Sequence, residues 1–179
     1  YFLLFSVAYW LGDRTPVVGD RLDRRVVAQV VAFGFGALAL VALLKPLLAL
    51  PRPPGATEPI ATSGLPSPLR AVVADATAPD GYGFPSGHAL GSTAVYGGLG
   101  WLLADERDRR PLYAGAAVAA AVSLSRVFIG VHYLTDVVVG IALGVVWVAL
   151  ACRSLPTPAR AFPAAGALSA EALMEATLA

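Results

Sequence analysis

Four long stretches that are almost free of charge constrain the fold of this chain more than any other feature of its sequence. They cover residues 26–44, 88–103, 112–125 and 134–152, and their only acid is Asp136. A transmembrane helix needs roughly 17–25 predominantly apolar residues. Only 14% of the residues are charged, whereas an average soluble domain has about 25%. The pattern predicts an all-α, polytopic transmembrane helix bundle with four full spanning helices. The alternative is a soluble protein with a very apolar helical core.

The two ends of the chain extend this interpretation. The opening segment Tyr1–Leu11 is apolar but too short to cross a bilayer, and the chain starts with Tyr rather than Met. We therefore expect a partial N-terminal helix, the end of a longer one, in a domain that is N-terminally incomplete; removal of a signal peptide is the alternative. We expect residues 1–152 to form one membrane-embedded domain and residues 153–179 to form a cytoplasmic tail that is peripheral or disordered.

The distribution of basic residues predicts how the bundle is oriented. The loops 12–25 and 104–111 and the tail together carry nine arginines, and four spanning helices would place all three on one side. The opposite side carries only Lys45, Arg52, Arg70 and Arg126. Cytoplasmic loops of membrane proteins are enriched in Lys and Arg. This bias predicts a multi-pass protein of the cell membrane in which the side of Lys45 and Arg52 is non-cytoplasmic.

Charge and cysteine content exclude some classes of partner. The net charge of +1 gives no electrostatic basis for binding nucleic acid. The single cysteine, Cys152, cannot form an internal disulfide or a cysteine cluster for a metal. The sequence calls for no cofactor, and it does not indicate an oligomeric state.

The few basic side chains and both histidines gather on the non-cytoplasmic side. Lys45 is the only lysine, and His88 and His132 are the only histidines. Each has an ordinary structural explanation when taken singly, such as a lysine that extends to the interface or a histidine that caps a helix. As a group they indicate a site, because ionisable residues near a bilayer are costly and usually face a polar site.

The spacing within three segments indicates a phosphate. Lys45 and Arg52 lie seven positions apart, close to two helical turns, so one helix face could aim both cations at one anion. In Pro85-Ser86-Gly87-His88, Ser86 is a candidate N-cap, and free N–H groups at a helix start favour an anion.

The third segment supplies a candidate nucleophile. His132 and Asp136 are four apart and would share a helix face, where a carboxylate can fix the tautomer of an imidazole and leave its other nitrogen free to attack. Arg126 adds a third cation. Phosphoryl transfer depends mainly on positioning and charge neutralisation, which these residues could supply without a metal.

These segments resemble the three-part signature of the type 2 phosphatidic acid phosphatase superfamily. The motifs are Lys45-x6-Arg52-Pro53, Pro85-Ser86-Gly87-His88 and Ser125-Arg126-x5-His132-x3-Asp136, and the resemblance extends from Val26 to about Cys152. It implies a six-helix membrane phosphatase, of which this chain would contain the last four helices and part of another.

The resemblance also implies a role for each motif residue. Lys45, Arg52 and Arg126 would hold the phosphate, helped by Ser86 and Gly87. His132 would attack phosphorus and form a phosphohistidine, and Asp136 would orient it. His88 would protonate the leaving oxygen. The implied reaction is metal-independent hydrolysis of a phosphomonoester or diphosphate, with the lipid bilayer as environment and a phosphorylated lipid as the expected substrate.

Two other functions remain open at this stage. The same constellation resembles that of vanadate-dependent haloperoxidases, although these are soluble and larger. A non-catalytic protein that binds or transports lipid phosphates on the same fold is the second alternative, although it would be expected to lose His132 or Asp136. The sequence does not identify the substrate, and residues 54–83 are expected to form a loop that shapes the entry to the site.

Overall fold

The computed structural model describes residues 24–56 and 81–154, together with positions 64, 66, 67, 69, 70 and 73. Within these residues, five α-helices carry the architecture: α1 (Arg24–Leu48), α2 (Gly87–Ser92), α3 (Gly98–Leu103), α4 (Arg110–Phe128) and α5 (Leu134–Ser154). A π-helical segment, Thr93–Gly97, joins α2 to α3 without a break. The described residues contain no strand, so the all-helical prediction is confirmed for this part of the chain. The predicted partial helix Tyr1–Leu11, most of the tail and positions 57–63 and 74–80 of the 54–83 loop lie outside the described residues.

Three of the four predicted spans correspond to helices that are long and apolar enough to cross a membrane. They are Arg25–Leu48, Arg110–Phe128 and Leu134–Ser154. The fourth predicted span, 88–103, is helical but consists of three consecutive pieces of six, five and six residues. Four full spans are therefore not confirmed, because none of these pieces is by itself long enough to cross a membrane.

The end of α1 differs from the sequence prediction. The helix stops at Leu48, and Ala49 takes a positive φ of 48° while its N–H donates to the carbonyl of Lys45 at 2.9 Å. This left-handed residue reverses the chain at the helix terminus. Pro51 then disfavours helical geometry at the preceding residue. Arg52 consequently lies in a loop beyond α1 and not two turns along the same helix as Lys45.

The start of α2 agrees with the sequence. Ser86 is the N-cap, and its hydroxyl accepts a hydrogen bond from the N–H of Ala89 at 3.4 Å. Ser86 is completely buried. An N-cap of this kind satisfies one of the donors that a helix start leaves without an intrahelical partner.

Small residues on α5 allow it to cross α2 at close range. A Cβ atom added at Gly140 would lie 2.7 Å from the carbonyl oxygen of Ser86, and one added at Gly144 would lie 2.9 Å from that of Leu90. Both distances are too short for a real side chain, so only glycine allows this approach. Four-residue spacing of glycines is a known feature of close packing between membrane helices. The crossing holds the N-terminal part of α5 against the Ser86 turn, the short segment that contains Ser86 and directly precedes α2.

The hydrophobic core lies along the helix shafts, by which we mean the parts of the helices away from the candidate site. The site itself lies at one end of the bundle. Phe33 and Ala37 of α1 pack with Leu90 of α2, Ala94 of the π-helical segment and Ala151 of α5. The C-terminal ends of α1 and α4 and the N-terminal ends of α2 and α5 carry the predicted site residues. The order of the elements therefore brings these residues to the same end of the bundle.

Candidate active site

His132 lies in the turn between α4 and α5, directly before α5 begins at Leu134. Its Nδ1 is 3.3 Å from the Oδ2 of Asp136, which also accepts a hydrogen bond from the N–H of Tyr133 at 2.9 Å. His132 and Asp136 are only 4% and 3% exposed. The predicted contact is present, although the histidine reaches it from a turn and not from a helix face.

The bond to Asp136 settles which nitrogen of His132 can react. A carboxylate has no proton to give at neutral pH, so Nδ1 must be the donor and Nε2 keeps its lone pair. This Nε2 is directed towards the guanidinium of Arg52, with 3.3 Å between Nε2 and Nη1. The three residues form a continuous row of contacts from carboxylate to imidazole to guanidinium.

Arg52 holds two loops together at the site. Its Nη1 donates to the carbonyl of Val131 at 3.0 Å, and its Nε donates to the carbonyl of Gly81 at 3.0 Å. The N–H of Gly83 donates in turn to the carbonyl of Leu50 at 2.9 Å. The loop after α1 is thus attached both to the segment that precedes α2 and to the turn that precedes α5.

The environment of His132 favours a neutral imidazole. Burial and, second to it, the positive charge of Arg52 lower the pKa of His132 from 6.5 to about 4, and together they outweigh the opposing effect of Asp136. A nucleophilic nitrogen must be unprotonated when it attacks. The arrangement therefore supplies a neutral imidazole at physiological pH.

The Ser86 turn is connected to the same centre. The N–H of Ser86 donates to the backbone carbonyl of Asp136 at 3.0 Å. Gly87 and His88 follow as the first residues of α2, and the side chain of His88 is exposed. The turn thus places an accessible imidazole at the same end of the bundle as the buried one.

Lys45, Arg126 and His88 complete the arrangement. Lys45 lies in the last turn of α1 and Arg126 in the last turn of α4, where its Nε donates to the hydroxyl of Ser125 at 3.2 Å. The charges of Arg126, Lys45 and Arg52 all act on the ring of His88. The structure therefore brings the eight residues singled out from the sequence to one end of the bundle. Their individual roles in catalysis remain predictions.

Two features of the site were missed by the sequence analysis. The backbone carbonyl of Arg126 accepts hydrogen bonds from the N–H groups of Val131 and His132, at 3.2 and 3.3 Å, which fixes the turn that carries the imidazole. Gly130, with a φ of 75°, makes this turn possible. The second feature is the crossing at Gly140 and Gly144, which the four-residue spacing of glycines in an apolar helix could have indicated.

The side chains of this site do not form a typical metal centre. Across the described ranges 24–56 and 81–154, no group of three or more His, Cys, Asp or Glu side chains is placed to hold a metal ion. Independence from metal stays a prediction for the reaction itself.

Comparison with known proteins gives two matches. A family model described as the PAP2 superfamily matches residues 25–160. Phosphatidylglycerophosphatase B of Bacillus subtilis (strain 168) is 36% identical over 69 residues, which cover 35% of this chain and 34% of that protein. The chain thus spans about a third of the length of this curated relative. No solved structure matches the chain.

Proposed function

The chain belongs to the PAP2 superfamily, and we propose that it is a membrane phosphatase that hydrolyses a phosphomonoester or diphosphate of a lipid through a phosphohistidine intermediate. The proposed reaction uses no metal ion and no cofactor. The observation that carries the proposal is the row of contacts from Asp136 through His132 to Arg52. It combines an oriented nucleophile with a cation that binds phosphate.

The cations supply the binding site for the phosphate group. Arg52 and Arg126 offer planar, bidentate donors, and Lys45 adds a compact charge. The backbone N–H of Gly87 adds a donor at the start of α2, next to the hydroxyl of Ser86. These groups neutralise the charge on the oxygens that surround phosphorus, which is the main requirement of phosphoryl transfer.

His132 is the proposed nucleophile. Its Nε2 lone pair forms the N–P bond while the bond between phosphorus and the leaving oxygen breaks. Asp136 keeps the proton on Nδ1 and stabilises the positive charge that the ring gains. Because Nη1 of Arg52 occupies the direction of attack at 3.3 Å, Arg52 moves from Nε2 to the phosphate oxygens when the substrate binds.

His88 is the proposed acid and base. In the first step it donates a proton to the leaving oxygen, so that the lipid departs as a neutral alcohol or, for a diphosphate, as a monophosphate. In the second step it accepts a proton from water, whose oxygen attacks phosphorus and breaks the N–P bond. Inorganic phosphate leaves, and the lone pair of His132 is restored.

The position of the site supports a lipid as the substrate. The catalytic side chains lie at the ends of apolar helices, where the head group of a lipid would meet them and its tail could stay among the helices. The arginine distribution of the sequence favours the non-cytoplasmic face for this end. The name of the Bacillus relative, a phosphatidylglycerophosphatase, supports a lipid phosphate as the class of substrate.

Phosphate release by the purified protein tests the proposal. In detergent with EDTA, the wild-type chain should release phosphate from a lipid phosphate, and His132→Ala should reduce the rate by roughly 10⁴-fold or more. Tyr133→Phe is the matched control, because this neighbouring side chain is exposed and only its backbone contacts Asp136. Acid-labile, alkali-stable labelling of the wild type by a radioactive substrate, absent in His132→Ala, would identify the phosphohistidine.

Three results would contradict the proposed mechanism. Activity that requires added metal would remove metal independence, and activity that survives His132→Ala would remove the nucleophile. Oxidation of bromide after addition of vanadate would favour the haloperoxidase alternative.

A further inference from the structure

A long apolar groove leads away from the candidate site between α1 and α2. It encloses about 360 Å³. Lys45, Gly87 and His88 line one end of the groove, and Val30 and Val31 line the other. Apart from the group at the site end, the residues that line it are nearly all apolar. The groove thus joins a cationic end to an apolar interior.

Two glycines contribute to the open space in this groove. Gly34 of α1 and Gly91 of α2 both line it. A Cβ atom added at Gly91 would meet nothing within 4 Å, and one added at Gly34 would make only an ordinary contact, 3.5 Å from the Cγ2 of Val95. These two glycines are therefore not required by helix packing, unlike Gly140 and Gly144. Their absent side chains leave volume open along the groove.

The groove is longer than the hydrocarbon part of one membrane leaflet. The fifteen-residue step from Val30 to Lys45 corresponds to a rise of about 22 Å along α1. Half of the hydrocarbon core of a bilayer is about 15 Å thick. The groove is therefore long enough to hold a single hydrocarbon chain that spans one leaflet.

From these observations we propose that the groove holds one hydrocarbon chain of the lipid substrate and that Gly34 and Gly91 determine which chains fit. The inference rests on the proposed function, because it assigns the phosphate to the cations at the site end. Charge complementarity selects this occupant: an anionic head group belongs at Lys45 and His88, and an uncharged tail belongs along the apolar walls.

The groove acts mainly by orienting the substrate. A hydrocarbon chain is solvated about as well by the bilayer as by the groove, so entry gives little net free energy. A chain seated along α1 instead fixes the direction from which the phosphate meets Nε2 of His132. Misplacement of a reacting group by about 1 Å can cost 10²-fold in rate, so orientation alone can produce a strong chain-length preference.

A pair of glycine-to-leucine variants tests the groove. Gly91→Leu fills it, whereas Gly97→Leu is the matched control, since Gly97 lies on the same continuous helical stretch but lines a different cavity, together with Trp101 and Leu112. A Cβ atom at Gly97 would make only an ordinary contact at 3.8 Å. The readout is the ratio of kcat/KM for hexadecyl phosphate to that for butyl phosphate, measured in detergent micelles.

The expected result is a fall of roughly tenfold or more in this ratio for Gly91→Leu and no change for Gly97→Leu. Gly34→Leu, on the opposite wall, should act in the same direction, and it keeps the test decisive if Gly91→Leu does not fold. An unchanged ratio in the folded groove variants, or an equal change in Gly97→Leu, would overturn the inference while the phosphatase activity stands. A wild-type protein that cleaves neither ester would overturn the proposed function and this inference with it.

Discussion

The site end of the bundle and the helix shafts are held together by different interactions. At the site end, buried and half-buried polar groups contact each other across long sequence distances: Arg52 donates to the carbonyl of Val131 at 3.0 Å, and the N–H of Ser86 donates to the carbonyl of Asp136 at 3.0 Å. Along the shafts, contact depends on missing side chains, as at Gly98, where a Cβ atom would lie 2.6 Å from the ring of Phe33.

The difference shows how an apolar protein can hold a polar site. Hydrogen bonds are directional, so a network of them fixes the angles among catalytic groups. Close packing in an apolar medium fixes only distances between helices. Substitutions at the site end should therefore affect chemistry first, and substitutions in the shafts should affect stability first.

Asp136→Asn is expected to give the largest effect after His132→Ala, and the effect should fall on chemistry. The amide keeps the shape of the carboxylate but can donate to His132, which favours the wrong tautomer, so kcat should fall by roughly 10³–10⁴-fold. Phosphate release under saturating substrate measures this. Asp108→Asn on the opposite side is the control, since the new side chain can still accept from the N–H of Arg110. Equal loss in both variants would contradict the assignment.

Gly140→Ala should give a large effect on stability, because it introduces a Cβ atom 2.7 Å from the carbonyl of Ser86. Overpacking of this kind costs about 1–3 kcal/mol. Thermal unfolding in detergent should show a lower Tm than for the wild type. Gly91→Ala, which meets no atom within 4 Å, should keep or slightly raise the Tm, since alanine favours helix over glycine. A Gly140→Ala protein as stable as Gly91→Ala would show that the crossing is loose.

The pH dependence of stability should reveal the buried imidazole. The pKa of His132 is about 4 in the folded protein and 6.5 as a free side chain. Between these values the unfolded chain binds the proton and the folded chain does not. The contribution of the neutral His132 to the free energy of unfolding is thus complete above about pH 6.5. It is lost as the pH falls towards 4, by at most about 1.4 kcal/mol per pH unit.

Tm measured from pH 7.5 to 4 in the wild type and in His132→Gln tests this expectation. The wild type should lose stability more steeply over that range. The opposite result would be a wild type that gains stability on acidification relative to the variant. That result would mean that the attraction of Asp136 for a charged imidazole outweighs burial and the charge of Arg52, so that His132 is protonated in the resting site.

The smallest effect on stability is expected from a substitution at Ala49, where the chain leaves α1. Ala49 adopts a φ of 48°, which costs a residue with a Cβ atom about 1 kcal/mol. Ala49→Gly should therefore raise the free energy of unfolding by roughly 0.5–1 kcal/mol and leave kcat unchanged. Ala114→Gly, within α4, should lower it by a similar amount because glycine disfavours a helix. A destabilised Ala49→Gly variant would show that the turn does not need this conformation.

Much of the helical framework could be predicted from the sequence. Long apolar runs have few alternatives to helix in a membrane, since every backbone donor and acceptor must be satisfied within the segment. For this reason 26–44, 112–125 and 134–152 each lie within a helix long enough to cross. The run 88–103 was predicted as one span because its apolar character continues through the π-helical segment, which composition does not reveal.

The motif residues could be found from the sequence, but not the way in which they reach the site. Helical spacing suggested that Arg52 shares a face with Lys45, and it suggested the same for His132 and Asp136. Arg52 and His132 instead lie in loops, because Ala49 ends α1 and Gly130 turns the chain before α5. Such endings depend on backbone conformations that only the surrounding contacts decide.

The attachment of Arg52 has a consequence for how such a chain can diversify. Two bonds, from Arg52 to Gly81 and from Gly83 to Leu50, join positions about thirty residues apart at the base of the intervening stretch. Because the entropy needed to close a loop grows only slowly with its length, a change in the length of the intervening sequence should alter the stability of these two bonds only slightly. The two bonds therefore tolerate variation in that sequence, while Arg52 keeps its contact with His132.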